Sequence, residues 1–289
     1  MNIIESHIVP AVSEKIRLQE YAVSIFTSIH TRSGIKKAIK KGLILIDDRK
    51  ASTADWIKEG QKIDLLKQEG SEKKIFKLKI DILFEDEDLA VIHKPAGYPT
   101  SGNYFKTIQN ALPYNLEPSK AIDTLNVPLP AHRLDNPTSG ILICAKTGKA
   151  LIGIQRDFMS KKIKKTYYAL VRGEIPESIE IISNIKDKAA RTKITPTETF
   201  KIDEEKYTLA EVIPLTGRTH QIRIHLARNG NPVVGDNEYG KEESGFFKAK
   251  TLYLFAAKIS FQHPITQETM NFEIPLPRKI RSLDYYKRP

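Results

Sequence analysis

Hydrophobic positions in the first part of the chain follow the 3.6-residue period of amphipathic helices. Short apolar runs, which are typical of strands, come after them. One helix carries lysines on the side opposite its apolar positions and ends at Gly42. We therefore expect a small α+β domain over residues 1–70. Its predicted elements are helices over 13–26 and 35–41 and strands over 43–46 and 62–66.

The rest of the chain is dominated by the alternation and the short apolar runs that are typical of strands. A polar segment with a glycine, residues 68–74, predicts a linker, so that a second domain occupies 75–289. Segment 215–227 alternates like a strand but follows a glycine turn and ends like a helix, and we predict a helix that starts near Thr219. The other predicted elements are strands over 80–84, 89–93, 141–145, 166–173, 252–261 and 270–274, antiparallel sheet between 194 and 213, and a helix over 147–160.

Lysine and arginine outnumber aspartate and glutamate by 46 to 35, which gives the chain a formal net charge of +11. Such a surplus favours a polyanionic partner, and nucleic acid is the first candidate. A membrane surface is the alternative, but the sequence has no uninterrupted apolar stretch of about 18 residues and its start lacks the features of a signal peptide. We expect a cytoplasmic protein that binds nucleic acid and no membrane.

Several kinds of chemistry lack the residues that they need. The single cysteine, Cys144, lies in an apolar run and is expected to pack, which argues against redox chemistry. His220 and His225 are five residues apart with no second cluster of ligands nearby, so we expect no metal. Phosphate-loop, nucleophile-elbow and dinucleotide motifs are absent, and the stretch from His132 to Asp135 lacks the spacing of a kinase catalytic loop.

The densest set of candidate residues is Ala131-His132-Arg133-Leu134-Asp135-Asn136-Pro137-Thr138-Ser139-Gly140. It leads into the predicted strand 141–145 and is therefore expected to be a loop held by a rigid element, where catalytic residues often lie. An ordinary turn with a surface charge pair is the alternative interpretation.

A second candidate region joins cations to aromatic rings. Four lysines between 161 and 165 precede Tyr167 and Tyr168, a combination suited to RNA phosphates and to the face of an unstacked base. Because side chains alternate along a strand, only one of the two tyrosines can serve such a site.

Five short motifs follow one another along the chain: Lys94-Pro95-Ala96-Gly97, His132-Arg133-Leu134-Asp135-x-x-Thr138-Ser139-Gly140, Lys165-x-Tyr167, Gly217-Arg218-Thr219-His220-Gln221-Ile222-Arg223 and Gly235-Asp236-x-x-Tyr239-Gly240. Their order and spacings resemble those of the RluA-type pseudouridine synthases, over about residues 75 to 277. The resemblance implies an α+β fold with a mixed, mainly antiparallel sheet, flanking helices and a central RNA cleft. It also implies an enzyme that isomerises uridine in RNA to pseudouridine without a cofactor.

By this resemblance Asp135 is the catalytic carboxylate, which either attacks the ribose or takes a proton from it. Arg223 matches the basic partner that favours the charged form of Asp135, and Tyr167 matches the residue that stacks under the uracil. Arg133 is expected to contact RNA, for instance by filling the space that a flipped nucleotide leaves. The other residues expected to contact RNA are Lys94, His132, Lys165, Arg218 and His220.

The N-terminal segment resembles the S-four-type RNA-binding domain through Arg32-Ser33, Gly42 and Gly60-Gln61-Lys62. It departs from that pattern at Gln19 and at Ile46-Asp47-Asp48. Lys36 and Lys40 are expected to contact RNA, and the alternative is a solvated helix face.

The expected partner is RNA, with large-subunit ribosomal RNA ahead of transfer RNA, and the protein is expected to act as a monomer without metal. One alternative function is a non-catalytic RNA-binding or ribosome-assembly factor on the same fold. A hydrolase of the same bond is another, but it would need a second carboxylate. Asp236 is the only other candidate, and we expect it to be structural.

Overall fold

The computed structural model describes residues 3–12, 14–26, 28–29, 31–66, 75–202, 204–240 and 251–283. The chain divides into two compact units, Met1–Lys73 and Lys74–Pro289. The predicted linker over 68–74 lies outside the described residues. No helix in the described ranges is long and apolar enough to cross a membrane.

The N-terminal unit is a four-stranded antiparallel sheet, in the order β1-β4-β2-β3, that packs against two helices. Its core joins the apolar faces of the helices, including Leu18 and Ile35, to inward residues of the sheet such as Ile44 and Ile63. The elements are β1 (Ile3–Ile8), α1 (Leu18–Tyr21), α2 (Arg32–Lys40), β2 (Ile44–Ile46), β3 (Arg49–Lys50) and β4 (Lys62–Leu66).

The prediction of one helix over 13–26 is wrong in its extent, because only α1 is helical there. Arg17 is extended and forms an isolated β-bridge with Trp56, which uses backbone groups that a longer helix would need. In contrast, α2 is longer than predicted because the Thr31 hydroxyl accepts a hydrogen bond from the Gly34 amide at 3.1 Å and caps the helix. Gly42 follows its end with a positive φ of 68°.

The second unit contains a ten-stranded sheet in the order β10-β11-β12-β9-β13-β8-β6-β5, with β14 beside β13 and β7 beside β8. All strand pairs are antiparallel except β13 with β8. The elements are β5 (Asp81–Glu85), β6 (Leu89–Lys94), α3 (Ile108–Asn115), β7 (Thr124–Pro130), β8 (Ser139–Thr147), α4 (Gly148–Met159), β9 (Lys164–Arg172), β10 (Ile179–Ile185), β11 (Lys188–Ile202), β12 (Glu205–Pro214), α5 (Gln221–Arg228), β13 (Leu254–Gln262), β14 (Thr269–Glu273) and α6 (Arg278–Arg281).

The expected mixed, mainly antiparallel sheet with flanking helices is confirmed, while an RNA cleft across it stays a prediction. The helix expected near Thr219 is α5, and the helix expected over 147–160 is α4. Helix α3 was not predicted, and Pro113 within it is one reason, because proline is uncommon inside helices.

Strand β8 lies at the centre of this unit and is buried on both faces. Leu142 and Cys144 pack in the cluster that contains α3, and Ile141 and Ile143 pack in the cluster that contains α4. The thiol of Cys144 is therefore a packing group, as predicted, and burial raises its pKa. The strand forms a rigid base for the loop that precedes it.

Gly140 lies where this loop enters β8, and the backbone there requires glycine. Its φ is 134°, and it pairs with Lys94 of β6 on one side and with Ala256 of β13 on the other. A Cβ atom at this position would overlap the carbonyl oxygen of Ala256 and would lie 2.6 Å from its Cβ atom. The approach of three strands beside the candidate loop thus depends on the missing side chain.

We expect Gly140→Ala to destabilise the second unit by about 3 kcal/mol, because it adds both backbone strain and steric overlap. Thermal unfolding followed by circular dichroism should show a midpoint lower by roughly 6–12 °C. Gly148→Ala is the matched control, since its Cβ atom would meet Asp123 at an ordinary 3.6 Å. Equal midpoints for the two variants would contradict this account of Gly140.

Candidate active site

Lys94 organises the loop that carries Asp135. Its side chain is fully buried, and its ammonium group donates hydrogen bonds to the carbonyl oxygens of Pro95, Asn136 and Thr138 at 3.1, 3.2 and 2.8 Å. Burial lowers the pKa of Lys94 to about 8, although the negative charge of Asp135 opposes the shift. The expectation that Lys94 contacts RNA is therefore wrong, because its three donors are already used inside the protein.

The residues beside Asp135 are fixed by further hydrogen bonds. The hydroxyl of Thr100 donates to the carbonyl oxygen of Leu134 at 2.9 Å and accepts from the Leu134 amide at 3.1 Å. On the other side, the Gly97 amide donates to the carbonyl oxygen of Asn136 at 3.0 Å. The position of Asp135 is thus set by contacts on both sides of it, which favours a preorganised site.

Asp135 lies beside Arg223 and Tyr167, which the resemblance linked to it, and beside His220, which was expected to contact RNA. One carboxylate oxygen is 3.8 Å from Nη1 of Arg223, and the other is 3.7 Å from Nε2 of His220. Burial raises the pKa of Tyr167, and the negative charge of Asp135 raises it further. The Asp135 side chain keeps 18% of its surface exposed, so a substrate can reach it.

Arg223 is held mainly by a second carboxylate. Its side chain is 5% exposed, and Nε and Nη2 donate to the two carboxylate oxygens of Asp236, both at 2.7 Å. Nη2 also donates to Glu238 at 3.1 Å, and the guanidinium lies 4.9 Å from the ring centre of Tyr239. The expected pairing with Asp135 is present, but Asp236 is the closer partner.

Asp236 holds the side chain of Arg223, which is the structural role that the sequence analysis expected for it. Burial disfavours its charged form, but hydrogen bonds from Arg223 and from the backbone amides of Glu238 and Tyr239 outweigh this effect. The pKa of Asp236 is consequently below its usual range. This leaves Nη1 of Arg223 directed at Asp135.

His220 links Asp135 to the same loop. It adopts the left-handed conformation, with φ at 53°, immediately before α5. Its Nδ1 atom lies 3.0 Å from the hydroxyl oxygen of Tyr239 and 3.4 Å from a carboxylate oxygen of Glu238. No role in the site was assigned to Glu238 or Tyr239 from the sequence. The motif Gly235-Asp236-x-x-Tyr239-Gly240 was the sequence feature that could have indicated one.

The two neighbouring tyrosines of β9 face opposite sides of the sheet, as the strand alternation predicted. Tyr167 packs against the clusters that contain Leu134 and Ile222. Tyr168 packs in a different cluster, and its hydroxyl donates to Glu211 at 3.3 Å. Only Tyr167 therefore faces the site.

His132 is half-buried, and part of its ring is engaged inside the protein. Its Nε2 atom accepts a hydrogen bond from the Ile143 amide at 3.0 Å, and its ring centre is 4.5 Å from that of Phe158. Burial and the nearby positive charge of Lys165 lower the pKa of His132 to about 3. One ring nitrogen of His132 is already used inside the protein, and an RNA contact from this residue stays a prediction.

The remaining candidates differ in accessibility. Lys165 is partly buried with its ammonium 5.6 Å from the ring centre of Phe158, and burial lowers its pKa. Arg133 is exposed, and its side chain has no hydrogen bond or ion pair with any residue in the described ranges. Arg218 is exposed but donates through Nε to the carbonyl oxygen of Ala189 at 3.1 Å. Lys36 and Lys40 are exposed on α2 of the N-terminal unit.

Among the described residues of the second unit, Asp86, Asp88 and His263 form a group of potential metal ligands away from Asp135. Nδ1 of His263 accepts hydrogen bonds from the amides of Ile265 and Thr266, at 3.3 and 3.1 Å, so that Nε2 carries the proton. Nε2 lies 3.0 Å from Asp86, and a metal ion there would have to displace that proton. The group is best explained as a structural contact between two turns.

The geometry around Asp135 suits reactions at an electron-poor carbon. A carboxylate, a buried arginine and an aromatic ring converge on one partly open position. Such a carboxylate can act as a nucleophile or as a base, while the arginine stabilises its charge and the ring offers a stacking face.

Comparisons with known proteins point the same way. Residues 88–228 match the family described as RNA pseudouridylate synthase. An uncharacterized RNA pseudouridine synthase of Aquifex aeolicus is 32% identical, with 93% of each chain covered. Ribosomal large subunit pseudouridine synthase C of Vibrio parahaemolyticus is 31% identical, with 87% of each chain covered. A solved human structure, RNA Pseudouridylate Synthase Domain Containing 1, is 25% identical with a TM-score of 0.59, and the match covers 72% of this chain and 87% of that one.

These matches confirm the family that the five motifs indicated. The similarity to the bacterial relatives extends over most of the chain, and the human structure shares the fold over 72% of it. The protein is an RNA-modifying isomerase, and its chain belongs to the RluA-type family of RNA pseudouridine synthases.

Proposed function

We propose that the enzyme converts uridines of large-subunit ribosomal RNA to pseudouridine, with Asp135 as the catalytic carboxylate. The observation that carries this proposal is the position of Asp135, which is fixed through both chain neighbours and lies 3.8 Å from Arg223 beside Tyr167. Relatives named ribosomal large subunit pseudouridine synthase C and D support the choice of RNA. Transfer RNA is the alternative substrate.

In the proposed reaction the bond between N1 of uracil and the ribose breaks, the base turns in place, and its C5 atom joins the same ribose carbon. One proton leaves C5 and one is added to N1, so that the product has the mass of the substrate. Asp135 either attacks the ribose or removes a proton from it. Arg223 stabilises the carboxylate through Nη1, and Tyr167 stacks under the uracil while it turns.

The nucleotide must leave its stack before Asp135 can reach it, at a cost of about a few kcal/mol. Arg133 is suited to offset this cost, because it is exposed two residues from Asp135 and makes no side-chain contact with charged groups in the described part of the chain. We propose that Arg133 contacts the flipped nucleotide or fills the space that it leaves.

We further propose that the N-terminal unit binds RNA through α2. The helix presents Lys36, Lys37 and Lys40 to solvent and has no acidic residue in its first turn. Clustered like charges repel one another unless a polyanion compensates them, and RNA is the polyanion that this enzyme acts on.

We expect Asp135→Asn to abolish pseudouridine formation, by on the order of a thousandfold or more, because the amide can neither attack nor accept the proton. The test is to map pseudouridines in total RNA from cells with the protein, without it and with the variant. Modification confined to large-subunit ribosomal RNA is the expected result.

Asp187→Asn serves as the matched control, since Asp187 is an exposed turn residue with positive φ, which asparagine tolerates. RNA binding by Asp135→Asn should persist. Pseudouridine above background from this variant would overturn the assignment of Asp135, and sites confined to transfer RNA would overturn the choice of substrate.

We expect Arg223→Lys to lower the turnover rate by about a hundredfold, because lysine cannot keep two bonds to Asp236 and still face Asp135. Single-turnover kinetics with saturating RNA should show the loss, together with a stability lower by about 1–3 kcal/mol. Arg228→Lys, on an exposed position of the same helix, should change neither quantity. A wild-type rate for Arg223→Lys would refute the proposal that Arg223 stabilises the carboxylate of Asp135.

We expect the double change of Lys36 and Lys40 to Gln to weaken binding of large-subunit ribosomal RNA by the full-length protein. The plot of log affinity against log salt concentration should become shallower by about one to two units, because two phosphate contacts are lost. The same double change at Lys15 and Lys58, exposed elsewhere in this unit, should leave the slope nearly unchanged. Equal slopes for wild type and both variants would exclude α2 as an RNA contact.

A further inference from the structure

The loop between Thr100 and α3 exposes two large aromatic side chains. In this loop, residues 101–106, Tyr104 is 72% exposed and Phe105 is 48% exposed. The Tyr104 side chain forms no hydrogen bond with any residue in the described ranges. Adjacent residues that expose large rings to water form a candidate binding surface.

The loop is well anchored despite the exposure of its rings. The side-chain amide of Asn110 donates to the carbonyl oxygens of Tyr104 and Phe105, at 3.1 and 2.9 Å. The amide of Thr107 donates to the carbonyl oxygen of Phe105 at 3.0 Å, and its hydroxyl caps α3. The two rings therefore project from an ordered loop, which is preorganised for binding a ligand.

Contacts connect this loop to the loop of Asp135. Phe105 lies edge-on to Phe76, with 5.7 Å between ring centres, and Phe76 lies 5.6 Å from Tyr98. Thr100, which is hydrogen-bonded to Leu134, comes four residues before Tyr104. Four residues span at most about 14 Å, so the exposed rings lie within one to a few nucleotides of the reacting uridine.

The charge around the rings suits RNA. No aspartate or glutamate occurs between Pro95 and Leu116 or over residues 75–80. Lys77 and Lys106 are exposed and form no ion pair within the described ranges. Aromatic rings whose flanking segments carry cations and no carboxylates are suited to unpaired nucleotides, because the cations attract phosphates and the rings stack on bases.

We propose that Tyr104 and Phe105 form a stacking platform for an unpaired RNA base beside the target uridine. The proposal rests on RNA as the substrate and on Asp135 as the reacting centre. Flipping the uridine unstacks its neighbours, and a base that stacks on Tyr104 regains part of the lost contact. The platform thereby selects uridines whose flanking nucleotides are free to leave a helix.

The test uses the full-length protein and a fluorescein-labelled oligouridine of ten nucleotides. Tyr104→Ala is expected to weaken binding about five- to fiftyfold, because one base loses its stacking partner. Tyr104→Phe keeps the ring and should bind within about twofold of wild type, since stacking needs no hydroxyl. Tyr114→Ala, which removes a 53% exposed tyrosine of α3, is the matched control and should also bind normally.

Two further measurements make the test specific. Binding of a ten-base-pair RNA duplex should not depend on Tyr104, because paired bases offer no free face. The fluorescence of a Tyr104→Trp variant should be quenched by oligouridine beyond any change seen in wild type, which contains Trp56 alone.

Normal oligouridine binding by Tyr104→Ala would overturn the platform and would favour a protein partner for this loop. A loss shared equally by Tyr104→Phe or by Tyr114→Ala would also overturn it. The binding experiment measures affinity and not pseudouridine formation. Its outcome therefore tests the platform independently of the proposed activity. If Asp135→Asn keeps its activity, the proposed function fails whatever Tyr104 does to binding. If activity depends on Asp135 and Tyr104→Ala binds oligouridine normally, the platform alone fails.

Discussion

A buried arginine needs carboxylates around it, and the site depends on how this requirement is met. Arg223 is almost fully removed from solvent, and Asp236 takes two of its donors in a bidentate pair. Removing either member of such a pair leaves a buried charge without compensation, which is far costlier than losing a surface ion pair. The same pair sets the direction of Nη1 toward Asp135. The buried ion pair and the proposed catalytic contact therefore share one arginine.

The loop of Asp135 is ordered by a second buried cation. Lys94 is enclosed beneath the loop and binds three backbone carbonyl oxygens, and Thr100 holds the residue before Asp135. Carbonyl groups that would otherwise need water are satisfied inside the protein. A carboxylate fixed in this way loses little freedom when the substrate arrives, which is the advantage of a preorganised site.

The residues proposed for chemistry and those proposed for RNA recognition differ in burial within the second unit. The groups around Asp135 are partly or fully buried and hold one another, whereas Arg133 and the rings of Tyr104 and Phe105 are exposed near the same loop. This division is physically reasonable, because a reacting centre must be rigid and partly dry, while selection of a nucleotide in folded RNA depends on surfaces that meet its neighbours.

The sequence by itself determined much of this protein, because periodicity and motif spacing are local properties. Most strands of the second unit, helices α4 and α5, and the opposite orientations of Tyr167 and Tyr168 follow from them. Local pattern failed where backbone pairing overrode it, as at Arg17, which bridges to Trp56 instead of extending a helix.

Only the tertiary structure decided the partners of each charge. Lys94 has the same polar character in the sequence as Arg133, yet the fold buries Lys94 and leaves Arg133 exposed. Which charges lie in contact is set by the packing of strands and loops that are distant in the chain, and no local pattern records it.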